Sequence, residues 1–353
     1  MTRLKAGVVW GEDYLILVKA CKDGGYALPA VNVIGTDTIN AVMEAAAKNK
    51  SDVVIQLSNG GAQFYAGKGL EDGFKAKVLG AVAAAQHVHL LAKHYGICVV
   101  LHTDHANKPL IPWVDAMIDH SEQSMKENGY PLFSSHMLDI SADEIEFNLS
   151  ESERVLKRLS PLGRSIEIEP GVTGGEEDGV GSDEIDNDKL YTQPEDCLQA
   201  YERLSKIGHF TLAASFGNVH GVYKPGNVQL RPEILKNSQA LVQERCNTDK
   251  NPLDLVFHGG SGSEKQKIDE ALTYGVFKMN IDTDTQFAFA EGVGNYVEAN
   301  AKAFKHQIDP DDGTPYKKQY DPRAWLRKGE ESFIARLDEA FVDLKSVGKS
   351  IAE

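Results

Sequence analysis

Eight short apolar runs, separated by longer amphipathic segments, limit how this chain can fold more than any other feature. The runs cover residues 28–33, 53–57, 97–102, 132–137, 165–169, 210–216, 253–258 and 276–281. Buried strands that alternate with helix-length segments are typical of parallel sheets built from strand–helix–strand units. Eight such units in about 255 residues predict an α/β fold, the (β/α)8 TIM barrel. A doubly wound open sheet is the alternative, although no G-x-G-x-x-G turn follows the first run.

Length alone would allow more than one domain, because 353 residues exceed the roughly 150 that one domain usually has. Barrels of this type nevertheless form single domains of ~200–400 residues. No linker rich in proline or serine divides the sequence. We therefore expect a single barrel domain over residues 1–353, with a C-terminal extension of helices and a loop from about residue 285.

The charge balance limits the classes of binding partner that the chain can have, and the cysteines indicate its cellular compartment. There are 37 Lys and Arg against 52 Asp and Glu, so the formal net charge is −15. An acidic chain binds nucleic acid and anionic membranes poorly, because both need clustered Lys and Arg. The N-terminal residues lack the apolar stretch of a signal peptide, and no apolar run reaches about 18 residues. The four cysteines form no C-x-x-C pair and fit a reduced, cytoplasmic protein without nucleic-acid or membrane partners.

Histidines stand where three of the predicted strands end. His105, His220 and His258 each follow an apolar run, beside aspartate or glycine. The carboxyl ends of barrel strands meet at one rim, where barrel enzymes place their catalytic groups. Three imidazoles at this rim would bind zinc and leave a fourth position open for a substrate carbonyl. The alternative is that they only form hydrogen bonds in the core. His102 and His136 also lie near strand ends, with His102 deeper in the barrel.

A glycine-rich segment after the seventh run predicts an anion site. The segment comprises Gly259, Gly260, Ser261, Gly262 and Ser263. It leads directly into a predicted helix, which Ser263 would cap. Glycines let backbone N–H groups approach an anion, and a helix N-terminus favours negative charge. The loops after strands seven and eight are the usual phosphate site of barrels, so we expect a phosphorylated ligand, with Asn280 and Thr283 as further donors.

The segment 171–188 combines five glycines with seven acidic residues. It lacks the glycine spacing of an EF-hand calcium loop, and most of its acids are expected to face solvent. The alternative is a mobile lid that brings one carboxylate to the substrate. Glu176 or Glu177, next to two glycines, would be that carboxylate.

Five motifs together resemble those of the class II, metal-dependent fructose-bisphosphate aldolases. They are Leu-His-Thr-Asp-His at 101–105, Thr-Gly-Gly-Glu-Glu-Asp-Gly at 173–179, Gly-Asn-Val-His-Gly at 217–221, Phe-His-Gly-Gly-Ser-Gly at 257–262 and Lys-Met-Asn-Ile-Asp-Thr-Asp-Thr at 278–285. The likeness covers nearly the whole chain, from 27–32 to 321–323. It implies reversible, zinc-dependent cleavage of fructose 1,6-bisphosphate to dihydroxyacetone phosphate and glyceraldehyde 3-phosphate, in glycolysis and gluconeogenesis.

The resemblance also implies roles for individual residues. The implied metal ligands are His105, His220 and His258 for the catalytic zinc ion, with Asp139 and Glu169 at a second position that the zinc also visits. Asp104 is implied to be the general acid and base at the aldehyde carbon, and Glu177 to handle the C1 proton of the ketose. The predicted substrate contacts are Asn32, Ser58, Gly221, Gly259, Gly260, Ser261, Asn280, Asp282, Thr283 and Arg323. The family is typically a homodimer in which Arg323 would reach the far phosphate of the neighbouring subunit, and it often binds a monovalent cation, Na⁺ or K⁺.

The chemistry leaves three alternatives open. Cleavage of the carbon–carbon bond leaves electrons next to a carbonyl, and either a Lewis-acid metal that holds the enediolate or a lysine Schiff base can accept them. Lys278 is the candidate for the lysine route. A tagatose 1,6-bisphosphate aldolase would use the same metal chemistry and differ at the sugar C4 hydroxyl. A non-catalytic scaffold that binds sugar phosphates is the third alternative.

Overall fold

A computed structural model describes residues 2–171, 174–177, 180–182, 191–220, 230–260 and 263–353, and only the backbone at 174–177, 180–182 and 219–220. The strands are β1 (Gly7–Val8), β2 (Leu28–Asn32), β3 (Val53–Leu57), β4 (Cys98–Ala106), β5 (Ser135–Leu138), β6 (Ser165–Ile168), β7 (Gly174–Glu177), β8 (Val180–Ser182), β9 (Phe210–Ala213), β10 (Val219–His220), β11 (Leu255–Phe257) and β12 (Val276–Ile281). The helices are α1 (Glu12–Gly24), α2 (Thr36–Lys48), α3 (Asn59–Ala66), α4 (Gly73–Tyr95), α5 (Ile111–Asn128), α6 (Ile145–Leu159), α7 (Pro194–Leu204), α8 (Glu233–Cys246), α9 (Lys265–Leu272), α10 (Thr283–Ala299), α11 (Lys317–Tyr320) and α12 (Pro322–Asp343). None of the described helices combines the length and the hydropathy that a membrane span needs.

Eight parallel strands close into a barrel. β2, β3, β4 and β5 pair in that order, followed by β6, β9, β11 and β12, and β12 pairs again with β2. Each of the eight apolar runs overlaps one of these strands, so the predicted (β/α)8 barrel is confirmed. The doubly wound open sheet is wrong, because the ring of paired strands is closed.

The inward faces of β2, β3 and β4 change from apolar to polar toward the carboxyl end. Leu28 and Ala30 on β2 and Val54 on β3 pack into one apolar cluster with α1. Asn32 and Gln56, one inward position further along, form a hydrogen bond with each other instead. β4 repeats this pattern and continues four residues beyond the predicted end, so the polar sequence 102–105 belongs to the strand.

α1 covers the amino end of the barrel, where its Tyr14 is buried. Lys22, near the end of α1, forms an ion pair with Asp254, which directly precedes β11. The second carboxylate oxygen of Asp254 lies 2.7 Å from His209 Nε2, and His209 Nδ1 lies 2.7 Å from the hydroxyl of Ser165. We call Lys22, Asp254 and His209 the amino-end triad.

The C-terminal extension consists of α10, α11, α12 and the residues that follow. α10 and α12 pack against each other, and α12 also packs against α2. Residues 350–353 then return to the amino end of the barrel. There the buried carboxylate of Asp52 accepts hydrogen bonds of 2.8 Å from the backbone N–H groups of Cys98 and Ile351 and from the hydroxyl of Ser350. This one carboxylate therefore joins the starts of two barrel strands to the last residues of the chain.

Candidate active site

The end of β4 places Asp104 and His105 in the mouth of the barrel. Both side chains are buried, and His105 has a φ of 35°, in the left-handed region that residues with a side chain rarely adopt. The pairing of β4 with β5 shifts register between Thr103 and Ala106, as at β-bulges, which re-aim side chains beside active sites. Backbone strain of this kind clusters at functional sites, where the surrounding structure holds it in place.

Two amides hold the carboxylate of Asp104. Its Oδ2 accepts hydrogen bonds from Asn32 Nδ2 at 3.1 Å and from Gln56 Nε2 at 2.9 Å. Gln56 Nε2 also lies 2.5 Å from Asn32 Oδ1, so the three side chains form one network across β2, β3 and β4. The predicted residues Asn32 and Asp104 are therefore brought together. Gln56 was not predicted, although a lone polar residue inside the apolar run 53–57 was the signal that could have found it.

Two overlapping groups of largely buried side chains can hold a metal ion. Asp104, His105 and His258 offer ligand atoms within 4.8 Å of one another, and so do His105, Asp139 and Glu169. The ring centroids of His105 and His258 are 4.8 Å apart. Imidazole nitrogens combined with carboxylate oxygens are ligands that Zn²⁺ accepts. The residues present therefore fit a zinc ion in their chemistry and their spacing.

Carboxylates contact both histidines of these two groups, His105 and His258. Asp139 Oδ2 lies 3.0 Å from His105 Nδ1. Burial acts to raise the pKa of Asp139, but the hydrogen bond to His105 holds this pKa well below its usual range. His258 lies between Glu167, 2.8 Å from Nε2, and Glu169, 3.3 Å from Nδ1. Burial alone would lower the pKa of His258, but the hydrogen bonds to these two carboxylates raise it to about 9. A metal ion must therefore displace a proton from His258 when it binds.

A buried ion pair lies next to His258. Lys278 Nζ donates to both carboxylate oxygens of Glu167, at 3.0 and 2.8 Å. Burial acts to raise the pKa of Glu167, but the positive charge of Lys278 holds this pKa well below its usual range. We call Lys278, Glu167 and His258 the central triad. A lysine that forms Schiff bases must present a neutral amine, whereas this ammonium is engaged by a carboxylate, so the contact argues against the lysine route.

Two further histidines lie behind the site. His102 is buried, with its Nε2 3.8 Å from Glu167 Oε2, which agrees with the prediction that it lies deeper in the barrel. His136 is buried on β5, with its Nδ1 2.7 Å from Thr103 Oγ1 and its Nε2 3.3 Å from Arg164. Burial lowers the pKa of both histidines. Neutral rings with these neighbours support the strands around the site.

Four predicted site residues are not described at side-chain level. β7 ends at Glu177 and pairs with β10, which ends at His220, and with β8. The segment predicted as an acidic loop therefore contains two antiparallel strands, β7 and β8. Gly221 and Ser261 lie outside the described residues. The roles of these four residues stay predictions.

Two of the three predicted glycine contacts, Gly259 and Gly260, lie where a side chain would be unfavourable. Gly259 has a φ of 57°, which favours glycine, and a Cβ added to Gly260 would lie 2.6 Å from Met279 Cγ. The predicted cap at Ser263 is wrong, because the N-cap residue of α9 is Glu264. The helix after the glycine segment therefore begins one residue later than the sequence predicted.

Apart from Arg323, the remaining predicted contacts lie on β12 or directly after β3 and β12. Asn280 on β12 is buried, and within the described part of the chain its side-chain amide has no hydrogen-bond partner. Buried amides are normally paired, so this one is suited to a ligand. Asp282 is the N-cap residue of α10, Thr283 begins that helix, and Ser58 accepts a 3.0 Å hydrogen bond as the N-cap of α3.

Arg323 lies apart from the other predicted substrate contacts. It lies at the start of α12, its side chain is 90% exposed, and its guanidinium donates to Asp321 at 2.7 Å. Its predicted contact with a neighbouring subunit stays a prediction.

Comparisons with known proteins agree with this geometry. Residues 12–349 match the class II fructose-bisphosphate aldolase family. The chain is 57% identical over 352 residues to a fructose-bisphosphate aldolase of Campylobacter jejuni, covering 98% of each chain. It is 52% identical over 349 residues to a class 2 fructose-bisphosphate aldolase of Escherichia coli K12, covering 98% of this chain and 97% of that one. A crystal structure of a fructose-bisphosphate aldolase from C. jejuni matches it with a TM-score of 0.90 and 54% identity, over 99% of this chain and 100% of that one. The chain therefore belongs to the class II fructose-bisphosphate aldolase family.

Proposed function

We propose that the chain catalyses the reversible cleavage of fructose 1,6-bisphosphate into dihydroxyacetone phosphate and glyceraldehyde 3-phosphate. The relatives reported above are named for that substrate and that type of reaction. The observation that carries the proposal is the buried carboxylate of Asp104, held by two amides beside His105 and His258. A positioned carboxylate next to a metal-binding group is what a metal-dependent aldol cleavage needs.

The proposed metal is zinc, with His105, His220 and His258 as its ligands. Asp139 and Glu169 would hold it at a second position, since both belong to a ligand group that includes His105. When bound, the metal supplies a Lewis acid that stabilises negative charge developing on the ketose oxygens. A monovalent cation beside the phosphate, Na⁺ or K⁺, belongs to the same proposal.

Asp104 is the proposed base for the C4 hydroxyl during cleavage and the acid during condensation. Asn32 and Gln56 donate to one of its oxygens, so they orient the carboxylate before the substrate arrives. Glu177 is the proposed donor of the C1 proton. The pairing of β7 with β10 supports this role, because it keeps the strand of Glu177 beside the strand of His220.

The two phosphates of the substrate need local attraction, because a net charge of −15 repels them. Backbone N–H groups of the glycine segment and of the start of α10 are the proposed source. The proposed contacts are Asn32, Ser58, Gly221, Gly259, Gly260, Ser261, Asn280, Asp282 and Thr283. Arg323 of a second copy would contact the far phosphate, in a homodimer. The cytoplasmic location and the single-domain organisation over residues 1–353 stay predictions.

A coupled aldolase assay with and without a chelator tests the proposal. We expect activity to disappear with the metal and to return when zinc is added, with fructose 1,6-bisphosphate cleaved faster than its tagatose epimer. Activity that survives complete metal removal refutes the metal mechanism. No activity after zinc is restored favours a scaffold, and a preference for tagatose 1,6-bisphosphate changes the substrate.

A further inference from the structure

Hydrogen-bond donors surround the carboxylate of Glu167. Its two oxygens accept from Lys278 Nζ at 3.0 and 2.8 Å, and Oε2 also lies 3.4 Å from the hydroxyl of Thr211. Oε1 lies 2.8 Å from Nε2 of His258. All four residues are buried, so solvent does not compete for these contacts. The resemblance to known aldolases implied no role for Glu167.

These contacts determine where the ring proton of His258 lies. An ammonium only donates, and a carboxylate paired with it is ionised and only accepts. The hydrogen between His258 and Glu167 therefore belongs to Nε2. In the neutral imidazole, the lone pair is then on Nδ1, the nitrogen 3.3 Å from Glu169 Oε2. Nδ1 is consequently the ring atom that His258 can offer to a metal.

We infer that Glu167 is a positioning residue that fixes His258 with Nδ1 toward the metal, while Lys278 holds the Glu167 carboxylate in place. The inference rests on the proposed metal centre. A carboxylate that accepts the far N–H group of a ligating histidine orients the ring and raises its basicity, and its loss typically lowers metal affinity by about 10–100-fold. Glu167 and Lys278 thus serve the metal without touching it.

Two charge-matched double variants separate the hydrogen bond from the buried charges. Glu167→Leu with Lys278→Met removes the acceptor and the ammonium together, so no unpaired charge remains in the core. Glu167→Gln with Lys278→Met removes the same charges but keeps a carbonyl oxygen that can accept from Nε2. Zinc affinity is measured by competition with a chromophoric chelator, and thermal unfolding of the metal-free proteins checks that each variant folds.

The Leu/Met variant is expected to bind zinc about 10–100-fold more weakly than the wild type, and the Gln/Met variant to recover most of that loss. Asp254→Asn, a matched change in the amino-end triad, is expected to leave zinc affinity unchanged. Equal zinc affinity of the two double variants overturns the inference. A zinc-loaded crystal structure of the wild type in which Nε2 of His258 binds the metal also overturns it, without any variant. A wild-type chain that takes up no zinc overturns the proposed metal centre itself.

Discussion

The barrel contains the same combination of lysine, carboxylate and histidine twice. In the central triad, Lys278 pairs with Glu167 and Glu167 accepts from His258. In the amino-end triad, Lys22 pairs with Asp254 and Asp254 contacts His209. In both, the carboxylate engages Nε2 of the histidine, so the internal contacts of the two triads are alike.

The difference lies in what the second ring nitrogen meets. Nδ1 of His209 lies 2.7 Å from the hydroxyl of Ser165, a neutral partner that completes its hydrogen bonding. Nδ1 of His258 lies 3.3 Å from a carboxylate, in a ring that also faces His105. One triad is closed on itself and ties α1 to the barrel. The other adjoins the proposed metal site, so position in the barrel, rather than composition, is what would give this triad a role in metal binding.

Replacing the histidine of each triad by alanine is the most direct test of the difference between the two triads. His258→Ala is expected to lose zinc and to reduce kcat by at least about 10³-fold, because a Lewis-acid metal contributes several kcal/mol to the transition state. His209→Ala is expected to keep zinc and activity but to lose about 1–3 kcal/mol of stability, because Asp254 and the buried Ser165 each lose a hydrogen bond. Bound zinc, steady-state rates and urea unfolding measure these effects. Similar zinc loss in both variants would remove the distinction between the triads.

Replacing one aspartate by asparagine at each end of the barrel compares the chemistry of the carboxyl end with that of the amino end. Asp104→Asn is expected to lower kcat by about 10²–10⁴-fold, the usual contribution of a general base, while zinc stays bound by the imidazoles. Asp254→Asn is the matched control and is expected to leave kcat unchanged. Rates are followed in the coupled assay and zinc by elemental analysis. Loss of zinc from the Asp104 variant would mean that Asp104 is a ligand.

The raised pKa of His258 makes zinc binding depend on pH. Because this pKa is about 9 in the metal-free protein, the site holds a proton at pH 7 that zinc must displace. Zinc affinity is therefore expected to fall about tenfold for each pH unit below that value. Calorimetry in buffers of different ionisation enthalpy counts the protons, and we expect about one released at pH 7. A proton count of zero at pH 7 contradicts the role given to His258.

The amino-end triad is expected to show the smallest effect, on stability alone. Burial acts to raise the pKa of Asp254, but His209 and Lys22 lower it below its ordinary value. A lowered carboxylate pKa stabilises the fold above the unfolded value of about 4, and this stabilisation is lost as pH falls through the lower, folded value. Asp254→Asn is therefore expected to cost about 1–3 kcal/mol at pH 7 and less at pH 3. Equal losses in urea unfolding at both pH values would contradict this explanation.

The pattern of the chain predicted the barrel because each strand is a short apolar run between longer segments. The end of β4 was missed for a physical reason. Residues 103–105 are polar, yet they belong to the strand because the barrel mouth buries them and the pairing with β5 resumes at Ala106. Polarity alone suggested a loop there. Strands β7 and β8 were missed because they consist mainly of glycine and glutamate, residues that are depleted in strands.

The candidate site was predicted where a residue's chemistry shows in its local motif. His105, Asp104 and His258 lie in such motifs, and the structure brings them together. Gln56, Glu167 and Lys278 act through partners on other strands. Glu167 and Lys278 are 111 residues apart, and only the register of a closed barrel makes them neighbours. No local pattern carries that information.

The contacts of Asp52 have a consequence for how the protein is made. Two of its hydrogen-bond donors, Ser350 and Ile351, follow Asp52 by 298 and 299 residues and are therefore synthesised much later. At roughly 5–20 residues per second, a ribosome needs ~15–60 s to add them. During that time, two of the three donors to Asp52 do not yet exist, so the amino end of the barrel stays incompletely bonded. The starts of β3 and β4 are thus completed only after residues 350 and 351 have been added, and a nascent chain stalled before residue 350 would expose that end to chaperones.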